Sequence, residues 1–375
     1  MSRQYDVIIV GGGVIGSSIA YRLASDGLSV GVIARDPVGS HASGYALGLL
    51  NPTSQTGNIE SLIHQSFKMH QEILELVQEE SGVDVQARAM PHLELALEQS
   101  EIAALMKEHD RIAAFSNFTC EWIRSDEIKR LDSRITEKVY GGLLVDKVIA
   151  IDSYNFTLAT AKAAKSKGVE YFLGEAATEI IYDHDRAIGV VVGVDRIHSG
   201  AVVLAMGPWS GGASPWVDND IPVAPQKGEI LRLEKVDPRL EFHVHGFTHG
   251  SSCSILQKAD GTVWLAATVE DDTGFDVALS EEARKSLSLR GSRMMPFLQS
   301  HPISLQTACM RPVTPDGDPI LGKVPGKERL FIASGTGGQG ILLAPVIGSS
   351  MADLISTGET GIDILQFGME RFSAT

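Results

Sequence analysis

Residues 5–27, YDVIIVGGGVIGSSIAYRLASDG, decide the architecture of this chain. Tyr5 to Val10 is a compact apolar run with β-branched residues, the pattern of a strand buried on both faces of a parallel sheet. It stops at glycine. Gly11, Gly13 and Gly16 form GxGxxG, and Ile15, Ile19, Ala20 and Leu23 then recur at helical spacing until Gly27 can close the helix. Strand, glycine turn and helix in that order form a dinucleotide-binding arrangement. The glycines permit a tight turn, close approach of a pyrophosphate and helix-on-strand contact, while free backbone N–H groups and the helix dipole favour an anion.

A second strand, LSVGVIA (28–34), should end in the acidic residue that meets the adenosine ribose hydroxyls. Position 34 is alanine. Arg35 and Asp36 follow, which leaves three readings: Asp36 reaches the ribose from further on, backbone groups and Arg35 hold the adenosine end, or Arg35-Asp36-Pro37 is a solvated turn. The whole chain has 375 residues, enough for two interlocked domains, with 43% apolar and 21% charged residues as in a soluble globular enzyme. Asp and Glu outnumber Lys and Arg 47 to 32, giving a formal charge of -15 and no basic block for a phosphate backbone, so nucleic acid is not an expected partner. Three widely spaced cysteines (Cys120, Cys253, Cys309) fit a reducing compartment. No signal-peptide core or membrane span is read, and a cytoplasmic location is expected.

Residues 36–52, DPVGSHASGYALGLLNP, pass through small residues into another glycine-containing segment, so backbone can lie flat against a large ligand. Further blocks are GPWSGG (207–212) after the strand AVVLAM, DGTVWLAATVEDDTGFD (260–276), CMRPVTPDGDPILG (309–322) and SGTGGQGILLAP (334–345). Together with the glycine-rich N-terminus, these resemble the FAD-dependent D-amino-acid oxidase and glycine oxidase superfamily, in order and over nearly the whole chain, most closely in its glycine oxidase form. The resemblance implies FAD as cofactor, with Val14, Ile15 and their glycines under the pyrophosphate and Ala34 and Arg35 at the adenosine end. Ala42, Ser43, Leu47, Gly48 and Leu49 would line the ribityl and isoalloxazine region, Ala177 would meet adenine through its backbone, and Gly207 and Trp209 complete the cofactor set.

RLFIASGTGGQGILLAPVIGSSMADLI (329–355) repeats the opening logic, an apolar strand followed by a glycine run and a helix whose Pro345 is tolerated only near its first turn. Gly335, Gly337, Gly338, Gln339, Gly340 and Ile341 would then present a helix start to the flavin ring, where a reduced flavin carries negative charge. Between these blocks, Cys309 and Arg311 alternate through Met310 and so share one face of a strand. A buried guanidinium needs a partner, and its planar fork matches a carboxylate. The alternatives are a substrate carboxylate or an internal Asp or Glu; the resemblance implies the first, with Arg311 holding the substrate acid beside the flavin.

Three positions depart from the family pattern. Glycine oxidases tend to carry glycine where this chain has Cys309, while sarcosine oxidases have a nearby cysteine bonded to the flavin, so Cys309 is a candidate covalent flavin attachment as well as an ordinary small core residue. Ser254, in a substrate-binding position with Leu49, stands where glycine oxidases close the pocket with tyrosine. Trp264 stands where sarcosine oxidases place a lysine for oxygen chemistry. His243, His245 and His249 in HVHGFTH could be read as a metal trio, but no carboxylate or cysteine at ligand spacing joins them, and no metal is expected. The acidic run 270–272 reads as a solvated turn.

The fold expected is α/β plus antiparallel β: a discontinuous Rossmann-type FAD-binding domain (1–85, 141–215 and 309–375) interleaved with a substrate domain on an antiparallel sheet (86–140 and 216–308). The activity expected is oxidation of the C–N bond of an amino acid or N-alkylglycine, by hydride transfer from Cα to flavin N5, giving an imine that hydrolyses. Oxygen or another electron acceptor would reoxidise the cofactor, and a homo-oligomer is compatible with the sequence. Competing readings are a dehydrogenase that does not use oxygen, a non-catalytic flavin-binding accessory subunit, and an NAD-dependent dehydrogenase using the first glycine cluster alone.

Overall fold

A computed structural model describes residues 4–54, 56–115, 118–248 and 250–372. The opening strand, Gln4–Val10, lies inside an eight-stranded sheet, parallel to Asp195–Leu204 on one side and Val30–Ala34 on the other. Its continuous apolar run follows from burial on both faces: Val7 and Ile9 enter one core, Ile8 and Val10 the other. Leu330–Ser334 and Glu170–Leu173 extend the parallel order, Ile320–Lys323 closes one edge, and the hairpin Ala177–Asp183 and Arg186–Val192 leans on Asp195–Leu204. Four helices, Val14–Ser25, Glu60–Ser81, Ser153–Ser166 and Gly340–Thr357, cover one face. This arrangement is the α/β half expected from the sequence.

A nine-stranded sheet forms the second layer, in the order Ile303–Val313, Ala224–Lys235, Thr262–Ala266, Ser251–Gln257, His243–Thr248, Arg88–Ala96, Gly141–Ala150 and Leu49–Leu50, with Cys120–Arg124 on Gly141–Ala150. It is antiparallel except where His243–Thr248 runs parallel to Arg88–Ala96. Leu93, Leu95, Val244, Ile255 and Leu265 point to a core under the helix Glu281–Met294. The alternate residues face the first domain. Sheet membership departs from the expected domain boundaries at Gly141–Ala150, Leu49–Leu50 and Ile303–Val313, which bond into this sheet although most lie in segments assigned to the cofactor domain. A strand's own sequence sets its period and not its pairing partner.

The helix Gly340–Thr357 shows how tertiary contacts rescue a local fault. Pro345 sits inside it, where its missing N–H leaves the Ile341 carbonyl without its helical donor. Val346 N donates instead to Ser66 Oγ at 3.3 Å, which frees the Leu342 carbonyl as well. Both carbonyls are taken by the fully buried His70, whose Nε2 lies 3.1 Å from each. Burial pushes the His70 pKa down to about 4, so the ring is neutral and Nε2 carries the donated hydrogen. The stretch Gly337–Thr357 is long and apolar enough to cross a membrane, with mean hydropathy 1.4, contrary to the sequence expectation. It is 67% buried within the fold, and a helix enclosed by protein is apolar all round for the same reason as one enclosed by lipid.

Candidate active site

One cavity of about 880 Å³ opens between the two layers. It begins at the first glycine turn, where Gly11, Gly13, Val14 and Ile15 line it. Gly11 has φ +129°, and a Cβ there would overlap the Ala205 carbonyl, so only glycine carries the chain round this turn. Gly16 does not line the cavity. A Cβ on it would strike the Gly11 carbonyl, so its role is helix-on-strand contact. Ala34, Arg35, Ala42, Ser43, Leu47, Gly48, Leu49, Ala177, Gly207 and Trp209 all border the same space. From the second glycine run, Gly337, Gly338, Gln339, Gly340 and Ile341 reach it, whereas Gly335 is set back against Thr314.

The donors suit a dinucleotide. The helices starting at Val14 and Gly340 both open on the cavity, and neither N-cap side chain caps its own start, so first-turn N–H groups other than that of Val14 are left for an anion. Ser43 Oγ accepts from Val14 N at 3.0 Å and ties the segment 42–45 to that turn. Open space stands where a Cβ would be on Gly337 and Gly338, so a flat ring can lie on the backbone there. At the outer end, Asp36 Oδ2 is engaged by Arg35 Nε at 2.9 Å and His41 Nε2 at 2.8 Å. Trp209 packs between Arg35 (4.7 Å), His41 (4.6 Å) and Phe275 (5.4 Å, stacked with planes nearly parallel), clasping the groove lip to the loop 267–280.

Arg311 and Cys309 both reach the cavity from the strand Ile303–Val313, with Met310 between them turned into protein and the buried Pro312 also on the cavity wall. Arg311 lies over Gly228 on the neighbouring strand, where any Cβ would overlap the guanidinium. Its Nη1 and Nη2 donate to the Thr268 carbonyl, each at 3.1 Å, and Nη1 to Gln226 Oε1 at 3.4 Å. Among the described residues no carboxylate pairs with it. Burial pulls its pKa below the ordinary guanidinium value, against the opposing influence of Cys309 and Glu270. Burial likewise pushes the Cys309 thiol up, more than Arg311 lowers it.

Behind Arg311 stands a buried network that sequence reading missed. Thr268 Oγ1 donates to Glu270 Oε1 at 2.6 Å and accepts from Glu229 N at 2.8 Å. Lys227 Nζ bridges Glu229 (3.0 Å) and Glu270 (3.3 Å), with Glu229 fully enclosed and also held by Gln306 and Ser280. Glu270 is therefore half of an internal ion pair and not part of a solvated turn. Lys258 was missed too. Its Nζ donates to the carbonyls of Leu47 and Ile151, pinning the 47–49 segment, and burial pulls its pKa down to about 8. It sits 4.8 Å from the Trp264 ring, whose other neighbour is Arg232 at 4.0 Å.

Ser254 lines the cavity from the middle of the second sheet. Beside it, His243 and His245 share a face, and cross-strand register sets His92 and Glu94 opposite them. The sequence held these two pairs 151 positions apart in the case of His92 and His243, so the carboxylate that spacing could not supply arrives through the fold. His243 is buried on the cavity wall, and His245 lines the same cavity. Among the described residues no group of three or more His, Cys, Asp or Glu is arranged to hold a metal, and His249 lies outside the described residues.

Residues 6–354 match the family described as FAD dependent oxidoreductase (DAO). The chain belongs to this family. It is an FAD-dependent oxidoreductase, and the NAD reading is set aside. The chain is 28% identical over 375 residues to a glycine oxidase of Geobacillus kaustophilus, covering 99% of this chain and 98% of the relative. A glycine oxidase of Bacillus subtilis is 26% identical over 383 residues, covering 100% and 99%. The crystal structure of glycine oxidase from Geobacillus kaustophilus superposes with a TM-score of 0.92 at 27% identity, covering all of both chains.

Proposed function

We propose that this flavoprotein oxidises the C–N bond of an amino acid or N-alkylglycine, with Arg311 clamping the substrate carboxylate. The supporting observation is Arg311 itself: a buried cation on the wall of the family's cavity, fixed by the Thr268 carbonyl and without a carboxylate partner among the described residues. Burying an unpaired charge is costly, so the pocket is built for an anion that arrives with the ligand. Glycine oxidases among the relatives support the amine class.

FAD bound in the groove supplies a two-electron acceptor for the Cα hydride. The chain's own contribution is placement. Arg311 fixes the acid by two parallel N–H···O bonds, which sets the Cα–H in one orientation. Glu270, Thr268 and Lys227 keep the guanidinium from swinging away. Leu47, Gly48 and Leu49, pinned by Lys258, would form the backbone wall beside the ring. The amine must be uncharged for its lone pair to form the C=N bond as hydride leaves, and no side-chain base stands on Arg311's own strand near it. The imine product then hydrolyses in water.

An anaerobic screen of D-, L- and N-methyl amino acids, read as bleaching of the flavin absorbance, tests the reading. Bleaching by at least one amino or imino acid is expected; none at all would leave the accessory-subunit reading standing. Adding air and measuring peroxide then separates an oxidase from a dehydrogenase.

A further inference from the structure

The cavity continues past the Arg311 end into a second lobe, between the strands that carry His92, Glu94, His243 and His245 and the helix Ile102–Ala113. Leu105, Ile112 and Val145 give this lobe apolar walls, and the four polar side chains form its end. His92 and His243 stack at 4.8 Å with their Nδ1 atoms 2.7 Å apart, so one ring donates to the other. Glu94 Oε2 lies 3.6 Å from His92 Nε2 and Oε1 lies 3.4 Å from His245 Nδ1. These are long contacts that leave the carboxylate acceptor capacity. Burial works to raise the Glu94 pKa, but His245 and His92 outweigh it and hold the group ionised.

Two features mark this end as a ligand site. Glu94 has no Lys or Arg partner among the described residues, while the lobe's other carboxylate, Glu108, is already committed to Arg111. His243 is 2% exposed, and its Nε2 has no hydrogen-bond partner, a cost the fold carries on the cavity wall. The lobe is thus an anionic end with polar neighbours and an apolar approach, facing a cationic end at Arg311.

Distance decides what can use both ends. The guanidinium lies over Gly228, and from that strand to Glu94's strand there are four inter-strand steps. At about 4.8 Å each, the span along the sheet is about 19 Å before side chains lean in from both sides. Glycine, roughly 3 to 4 Å from end to end, cannot touch both.

We propose that the second lobe is a specificity site for the cationic arm of the substrate, an amino acid or N-alkylglycine whose methylene chain ends in an ammonium or guanidinium that pairs with Glu94. This rests on the amine-oxidising reading above. An apolar stem with a charged head matches the lobe as Lys and Arg side chains match protein surfaces, stem against hydrocarbon and head against carboxylate.

The test uses the flavin-loaded full chain and anaerobic flavin reduction with glycine, sarcosine, lysine and arginine of both hands, and N-(ω-aminoalkyl)glycines of increasing length beside their uncharged N-alkyl counterparts. The kcat/KM is expected to climb with cationic arm length to a maximum at least about tenfold above glycine, which is the effect of about 1.4 kcal/mol. Glu94→Gln is expected to erase that advantage, and Glu94→Asp to retain part of it. The inference is overturned if short neutral substrates are best, if uncharged arms gain as much as charged ones, or if Glu94→Gln leaves the charged-to-neutral ratio in place. Should the variant fail to fold, the wild-type length series decides. Absence of reduction by every compound would instead overturn the parent reading, and this one with it.

Discussion

Replacing Arg311 by alanine should remove function while leaving stability nearly unchanged. The guanidinium is buried, its pKa is pulled down by burial, and its partners are one carbonyl and one amide oxygen. Deleting it removes a desolvated charge, which offsets the loss of its charge-assisted hydrogen bonds to two neutral acceptors, about 1.5–3 kcal/mol for each acceptor. The ligand-free Arg311→Ala protein should therefore unfold within about 1 kcal/mol of wild type in urea, by the same reasoning. With substrate the balance reverses. A bidentate pair of charge-assisted bonds is worth about 1.5–3 kcal/mol per bond, so kcat/KM should fall by roughly 10²- to 10⁴-fold. Arg311→Lys keeps the charge without the fork and should fall in between. The assay is anaerobic flavin reduction against substrate concentration, beside the flavin spectrum and a urea titration of each variant. A kcat/KM within about threefold of wild type, with FAD bound, would refute the carboxylate clamp.

Other consequences are equally direct. Glu270→Ala removes the acceptor behind Thr268 and should raise KM about three- to tenfold with less effect on kcat, while Glu270→Gln, which can still accept from Thr268 Oγ1, should recover most of it; equal loss in both parameters would argue against a positioning role. His70→Phe strands the Ile341 and Leu342 carbonyls and should cost about 2–4 kcal/mol in urea unfolding. The same histidine makes stability depend on pH. Its folded pKa, about 4, lies below the ordinary value of 6.5, so the unfolded chain binds the extra proton first, and about 3 kcal/mol of stability present above pH 6.5 should be lost progressively on acidification towards pH 4. A urea midpoint flat over that range would contradict the assignment. Finally, burial keeps the Cys309 thiol protonated, and the attacking species in covalent attachment is a thiolate, so acid-denatured protein should release its yellow colour to the supernatant; colour retained on the polypeptide would reverse this.

The sequence by itself determined the cofactor groove. Gly11, Gly13 and the residues after them act within a few positions of one another, so a strand, a turn and a helix start are written locally, and the second glycine run repeats the pattern. That Arg311 and Cys309 share one face of a strand was legible from their alternation, and the structure puts both on the cavity wall. Only the tertiary structure decided the rest. Gly141–Ala150 reads as a strand in any sheet, and its hydrogen bonds to Arg88–Ala96 choose the second one. Glu270 looked like a surface acid until Lys227 was placed against it, and Pro345 looked misplaced until His70 met the carbonyls it frees. Glu94 and the three histidines around it come from two strands far apart in the chain, brought together by register alone. Local spacing encodes which face a residue takes; it does not encode which strand will lie alongside, because that choice is made by the packing of the whole sheet.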